Sequence, residues 1–170
     1  MRYPLTHTAL IATLLSSAVT CSAFSLSSPR FADGDFLPAV FTCYGDDQSP
    51  PVIWQDPPLG TVSYALLMDE YSVDNSINNH WIIYNIFGDV RALPLHLNHQ
   101  VEYTMGKNDQ GSDYSGPCPK DGKTHDYYLT LFALNDTIKL DKGAHRAKLI
   151  TALQGHILGI ATMSTRFQHD

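Results

Sequence analysis

The sequence predicts a mainly β fold, an antiparallel sandwich with one or two small helices, in a chain of 170 residues. Short apolar segments rich in β-branched and aromatic residues recur between turn residues. Long irregular segments separate them, and a single helical pattern follows late in the chain. Strands in succession with one late helix are typical of an antiparallel sandwich rather than of alternating strand–helix units.

Four segments are predicted to be strands because they are short, apolar and bounded by turn residues; they are 63–69, 81–86, 127–134 and 158–167. The third is apolar nearly throughout, which is typical of a strand that is buried on both faces. Residues 93–122 are rich in Gly, Asn, Asp and Pro and are expected to be mainly loop. A loop of that length in a small domain usually carries function.

One helix is predicted at residues 144–154. Leu149, Ile150 and Leu153 form an apolar stripe at helical spacing, and Gly155 follows as a helix end signal. A helix of this kind packs its stripe against a sheet, so we expect it to cover one face of the sandwich.

The first residues have the pattern of an export signal. Residues 9–19 form an uncharged apolar run, and small residues lead up to a cleavage site after Ala23. The run is too short for a permanent membrane anchor. We therefore expect 1–23 to be a signal peptide, 24–170 to be one folded domain, and the mature protein to be periplasmic or secreted.

The charge balance excludes two classes of partner. The chain carries 11 Lys and Arg against 17 Asp and Glu, a formal net charge of −6, and the basic residues are scattered. A protein that binds duplex nucleic acid needs a cationic face to displace counterions. Adsorption to an anionic membrane surface needs a basic cluster as well.

Familiar catalytic and cofactor motifs are missing from the sequence. There is no G-x-S-x-G elbow, no H-E-x-x-H, no P-loop, no G-x-G-x-x-G and no C-x-x-C. We therefore expect a protein that is not an enzyme and that needs no cofactor. A hydrolase that uses His80 or His125 as general base is kept as the second alternative.

Two polar clusters stand beside predicted strand ends. The first comprises Asp69 and Glu70 at the end of one strand and His80 at the start of the next. Glu70 is preferred over Asp69 as the carboxylate of a site. Strict alternation along a strand would place Trp81 on the face opposite to His80, in the core.

The second cluster is a rigid loop that contains Gly116 and Pro117, followed by His125 and Tyr127. The last two residues alternate along a predicted strand, so their side chains share one face. Imidazole and phenol donors on a fixed frame bind a phosphate or carboxylate group through charge-assisted hydrogen bonds. A metal held by His80, His125 and Glu70 is the less favoured interpretation, because anion pockets use the same residue types.

Two cysteines remain once the predicted signal peptide is removed. In an oxidising compartment Cys43 and Cys118 could form a disulfide bond, or they could be two buried thiols. The sequence leaves both interpretations open, because pairing depends on a distance that it does not give.

The motifs in residues 41–134 resemble those of the phosphatidylethanolamine-binding protein family, in the same order. The segments are FTCYGDDQSPPVIW, NHWIIYNI, GKNDQG and YSGPCPKDGKTHDYYLTLFAL. In style they are most similar to the bacterial Raf-kinase-inhibitor-like proteins, some of which carry signal peptides. The resemblance implies a Greek-key β-sandwich with a small anion pocket and no catalytic centre.

The resemblance also implies which residues form the pocket. His80, His125 and Tyr127 match the family's pocket His, His and Tyr, and Glu70 matches the first Asp of its D-P-D-A-P motif. The implied ligand is a phosphate-like or carboxylate group, including a phospholipid head group. The first alternative is a protein-interaction module that inhibits a protease or a kinase.

The chain departs from the family pattern at three positions beside the pocket. Tyr71 and Ser72 replace the Pro and the second Asp of D-P-D-A-P, and Asp126 stands where an Arg is common. The loss of one acidic wall is expected to weaken attraction for an amine-bearing ligand.

Overall fold

A computed structural model describes residues 23–72, 76–97, 103–111 and 113–170. The predicted signal peptide lies outside these residues except for Ala23, so it stays a prediction. No helix in the described part of the chain is both long enough and apolar enough to cross a bilayer.

Within these ranges the chain forms two antiparallel sheets, one helix and a short 3₁₀ turn at Ala39–Phe41. The elements are β1 (Ser25–Ser27), β2 (Val52–Gln55), β3 (Ser63–Tyr71), β4 (Ile77–Phe87), β5 (Ala92–Leu93), β6 (Thr104–Met105), β7 (His125–Leu134), α1 (Arg146–Leu153) and β8 (Ile157–Phe167). One sheet has the order β1-β2-β5, and the other has the order β6-β4-β3-β7-β8.

The mainly β prediction is confirmed, and the predicted strands and helix are β3, β4, β7, β8 and α1. β3, β4 and β7 each extend at least two residues beyond the predicted limits, because polar residues near the site continue the ladder, and β8 begins one residue earlier than predicted. The other strands have only two to four residues each. Such segments are too short to show a period in the sequence.

The first core lies between the two sheets. Val52 and Trp54 of β2 face Leu66 and Met68 of β3, and all four are almost fully buried. Burial of a large apolar side chain contributes about 1.5–3 kcal/mol, so this layer supplies much of the driving force for folding.

The second core lies between the five-stranded sheet and the helix. Leu149 and Leu153 of α1 pack in one cluster with Leu67 of β3 and Leu134 of β7. Strand β7 also contributes Leu129 to the first core. The prediction that this strand is buried on both faces is therefore confirmed.

A buried ion pair fastens the helix to the sheet. Asp69 is 3% exposed, and the Arg146 Nε lies 3.0 Å from each of its carboxylate oxygens. The side-chain amide of Asn79 also donates to this carboxylate, at 2.7 Å. Alternation along β3 thus sends Asp69 toward the helix and Glu70 toward the opposite face.

We expect Arg146→Ala to lower the free energy of unfolding by about 3 kcal/mol, because it leaves a buried carboxylate without its cation. The measurement is denaturant unfolding followed by circular dichroism. Lys148→Ala, an exposed cation on the same helix, is the control and should change stability by less than about 0.5 kcal/mol. Equal effects of the two substitutions would contradict the assigned role of the ion pair.

Candidate functional site

A β-bulge turns His80 toward the site. Met68 pairs with Trp81 and Asp69 pairs with Asn79, which leaves His80 as the extra residue of β4. Trp81 therefore faces the first core, and His80 points to the same side, where its ring meets Tyr127 edge-on at 5.2 Å. The expectation that Trp81 lies opposite to His80 is wrong, because a bulge interrupts strict alternation.

Strand β7 brings the remaining predicted side chains to the same place. Glu70 pairs with Tyr127 across the β3–β7 ladder, and the His125 Nδ1 is hydrogen-bonded to Glu70 Oε1. The Nε2 of His80 lies 3.4 Å from the other oxygen of Glu70. One carboxylate thus contacts two imidazoles, and His125 and Tyr127 share the predicted face.

The rigid loop after β6 forms another wall of the site. The Gly116 N–H donates to Asp47 Oδ1 at 2.6 Å. A Cβ at Gly116 would lie 2.3 Å from the Phe41 carbonyl oxygen, so only glycine fits this approach. Pro117 is buried behind the loop, where its carbonyl accepts the Cys43 N–H at 3.2 Å, and Pro119 lines the cavity instead.

A disulfide bond joins two walls of the site. Cys43 and Cys118 are bonded, with their Cα atoms 5.4 Å apart, and they are 75 positions apart in the sequence. Both residues line the cavity. In the chain-entropy model a loop of this length is worth roughly 4 kcal/mol of stability.

The loop that carries Cys43 is braced by the end of the chain. The Tyr44 ring stacks on His169 with centroids 3.5 Å apart and planes 3° from parallel. The Tyr44 hydroxyl donates to the Pro119 carbonyl at 2.6 Å. The C-terminal residues thus pack against the rim of the cavity.

These elements enclose a cavity of about 400 Å³. Of the residues predicted for the site, the structure places five in its lining: Glu70, His80, Gly116, His125 and Tyr127. Asp69 lies on the other face of the sheet. Among the described lining residues there is neither Lys nor Arg.

Sequence reasoning missed several polar residues of the lining, among them Asn78, Gln110 and Asp47. The Asn78 amide nitrogen lies 3.3 Å from Glu70 Oε2 and 3.3 Å from His80 Nε2. The Gln110 amide donates to Asn78 Oδ1 at 3.2 Å. Asn78 adjoins the strand motif and Gln110 lies within GKNDQG, so closer attention to these motifs could have found both.

The carboxylate of Glu70 is held in its ionised form. Its hydrogen bond with His80, followed by those with His125 and Asn78, lowers its pKa from 4.5 to about 2, although burial acts in the opposite direction. Hydrogen bonds to the charged form explain this direction.

The two histidines have different surroundings. The His80 Nδ1 donates to the Ser115 carbonyl at 2.7 Å, which fixes the ring. His125 lies between Glu70 and Asp121, whose hydrogen bonds raise its pKa above 6.5 while burial opposes them. Because carboxylates face both of its ring nitrogens, the positively charged form of His125 is favoured.

The Tyr127 hydroxyl supplies a neutral donor. Burial, aided by the charge of Glu70, raises its pKa above the usual value of 10.0. Among the described residues the hydroxyl has no hydrogen-bond partner, although Tyr127 lines the cavity. The site thus combines two imidazoles, a phenol and an ionised carboxylate around one hollow, an arrangement suited to holding a polar group.

The chain belongs to the phosphatidylethanolamine-binding protein family, because the sequence model of that family matches residues 27–168. The resemblance found in the motifs is therefore confirmed, and the protein is a binding protein of this family.

Two relatives and two solved structures are similar to the chain. A UPF0098 protein of Methanothermobacter thermautotrophicus is 33% identical over 144 residues, which cover 82% of this chain and 95% of the relative. LppC of Mycobacterium tuberculosis, named as a lipoprotein, is 28% identical over 152 residues, which cover 89% of this chain and 75% of the relative.

The first structure is a phosphatidylethanolamine-binding protein homologue from Chlamydia trachomatis. It matches with a TM-score of 0.80 and 28% identity, over 87% of this chain and 99% of that chain. YbcL of Escherichia coli, described as a member of the mammalian family, matches with a TM-score of 0.80 and 24% identity, over 88% and 100%. The similarity to YbcL shows the fold alone.

We expect the stability that Glu70 contributes to depend on pH in two opposite ways. Its lowered pKa gives stability that is present above pH 4.5 and is lost as the pH falls toward 2. The raised pKa of His125 gives stability that is present below pH 6.5 and is lost as the pH rises through the higher value. The pair therefore stabilises the fold most between these two limits.

The measurement is denaturant unfolding of wild type and Glu70→Gln across this pH range. The free energy of unfolding of wild type should exceed that of Glu70→Gln by the largest amount near pH 5.5, on the order of 2–3 kcal/mol. This difference should become smaller at lower and at higher pH. Asp56→Asn, which neutralises an exposed carboxylate, should show no such maximum. A difference that is independent of pH would contradict the assigned charge states.

Proposed function

We propose that the protein is an exported binding protein whose cavity holds a phosphate-like or carboxylate group of a small ligand, with a phospholipid head group as one such ligand. The observation that carries the proposal is the meeting of Glu70, His80, His125 and Tyr127 around one cavity of about 400 Å³. Small-molecule sites commonly have volumes from about 300 Å³ upward, with a few convergent polar groups.

Hydrogen bonding, more than net charge, would hold the anion. The raised pKa of the Tyr127 hydroxyl keeps it a neutral donor, and the contacts of His125 with Glu70 and Asp121 favour its positively charged form. With Glu70 and Asp47 also in the lining, the cavity is not strongly cationic. We therefore expect moderate affinity that weakens as the salt concentration rises.

Binding without turnover is supported by the state of the cysteines. Cys43 and Cys118 line the cavity, and their sulfur atoms are bonded to each other, so neither supplies a nucleophilic thiolate. The Nδ1–H of His80 is donated to the Ser115 carbonyl, which fixes the orientation of the ring. These contacts favour a rigid binding frame.

Export is supported by the sequence pattern of residues 1–23 and by the disulfide bond, since such bonds persist mainly in oxidising compartments. The relative LppC is named as a lipoprotein. We therefore place the mature protein in the periplasm or outside the cell.

Titration calorimetry with inorganic phosphate tests the binding proposal. Wild type should release or absorb heat on binding, and His125→Ala should abolish it because the cation of the cavity is lost. His145→Ala, an exposed histidine at the start of α1, is the matched control and should bind like wild type. Phosphorylethanolamine should bind no tighter than phosphate, since Ser72 replaces an acidic residue. If His125→Ala binds phosphate as tightly as wild type does, the proposed binding site is refuted.

Export is tested by mass spectrometry of the protein recovered outside the cytoplasm after expression of the full chain. The expected mature form begins at Phe24. Recovery of the chain in the cytoplasm with residues 1–23 intact would contradict the proposal.

A further inference from the structure

Both ring nitrogens of His125 are occupied by carboxylates of the protein. Nδ1 is hydrogen-bonded to Glu70, and Nε2 lies 3.0 Å from Asp121 Oδ1. An ionised carboxylate only accepts hydrogen bonds, so both nitrogens carry a hydrogen atom. In this arrangement His125 has no N–H left for a ligand.

The two carboxylates are held very differently. The Glu70 side chain is 12% exposed and has further contacts with His80 and Asn78. The Asp121 side chain is 46% exposed, and its other hydrogen bond is a local one from the Lys123 N–H at 3.1 Å. Asp121 is therefore the partner that an incoming group can replace.

A second hollow, of about 370 Å³, shares Glu70 and His125 with the cavity, and Asp121, Lys123 and Asp126 also line it. Because Asp121 lines this hollow, its side chain has space to move into when it is displaced from His125. Carboxylates outnumber cations in this hollow, so it gives an arriving anion no extra attraction.

We propose that Asp121 is a specificity-determining residue that competes with the ligand for the Nε2–H of His125. An anion gains this donor only by displacing the Asp121 carboxylate. The Asp121 carboxylate disfavours doubly charged anions more than singly charged ones, because the repulsion between Asp121 and the ligand grows with the charge of the ligand. This inference rests on the proposed function and names which anions the cavity selects.

The test uses Asp121→Asn, which removes the charge and keeps a side-chain oxygen for the Lys123 N–H. Affinity for inorganic phosphate should rise roughly five- to tenfold, and affinity for acetate only roughly twofold. Both are measured by titration calorimetry on the mature protein with its disulfide intact. The ratio of the two affinities is the decisive quantity, because a merely structural role of Asp121 would not change it.

Asp126→Asn is the matched control, because it makes the same change of charge beside His125 but leaves the hydrogen bonds of His125 in place. It should alter both affinities less than about twofold. Phosphate binding that is equal in wild type and Asp121→Asn would overturn the role of Asp121 and leave the proposed function standing. If neither protein binds phosphate, the proposed function fails and this inference with it.

Discussion

The site depends on the ionised carboxylate of Glu70, which lies near the end of the buried strand β3. Removing such a charge from water costs several kcal/mol unless hydrogen bonds compensate it. Glu70 contacts Asn78 and His80 of β4 and His125 of β7, which come from two places in the sequence. The bulge in β4 and the register of β7 are what bring these donors within reach.

Strand β3 carries two carboxylates that need compensating partners, one on each of its faces. Asp69 and Glu70 are neighbours in the chain, yet one is neutralised by Arg146 of the helix and the other by imidazoles of the cavity. The first pair joins the layers of the fold, and the second shapes a site. Because the faces alternate, each carboxylate is compensated without competing for the other's partners.

The sequence predicted the long strands, the helix and the Glu, the two His and the Tyr at the centre of the cavity lining, because these depend on local period and on recognisable motifs. It failed where one residue changes the register: the bulge that reorients His80 leaves no local signal. It also missed Asp47 and Asp121, whose partners are set by loop conformation. The pairing of Cys43 with Cys118 required the distance between two loops, which only the folded chain supplies.

The stacking of His169 on Tyr44 has a practical consequence for anyone who prepares this protein. Asp170 directly follows His169, so an affinity tag fused after Asp170 would emerge beside the cavity rim. A polyhistidine tag there would add imidazoles close to those of the pocket and could itself occupy it. A removable tag placed directly ahead of Phe24 avoids that interference.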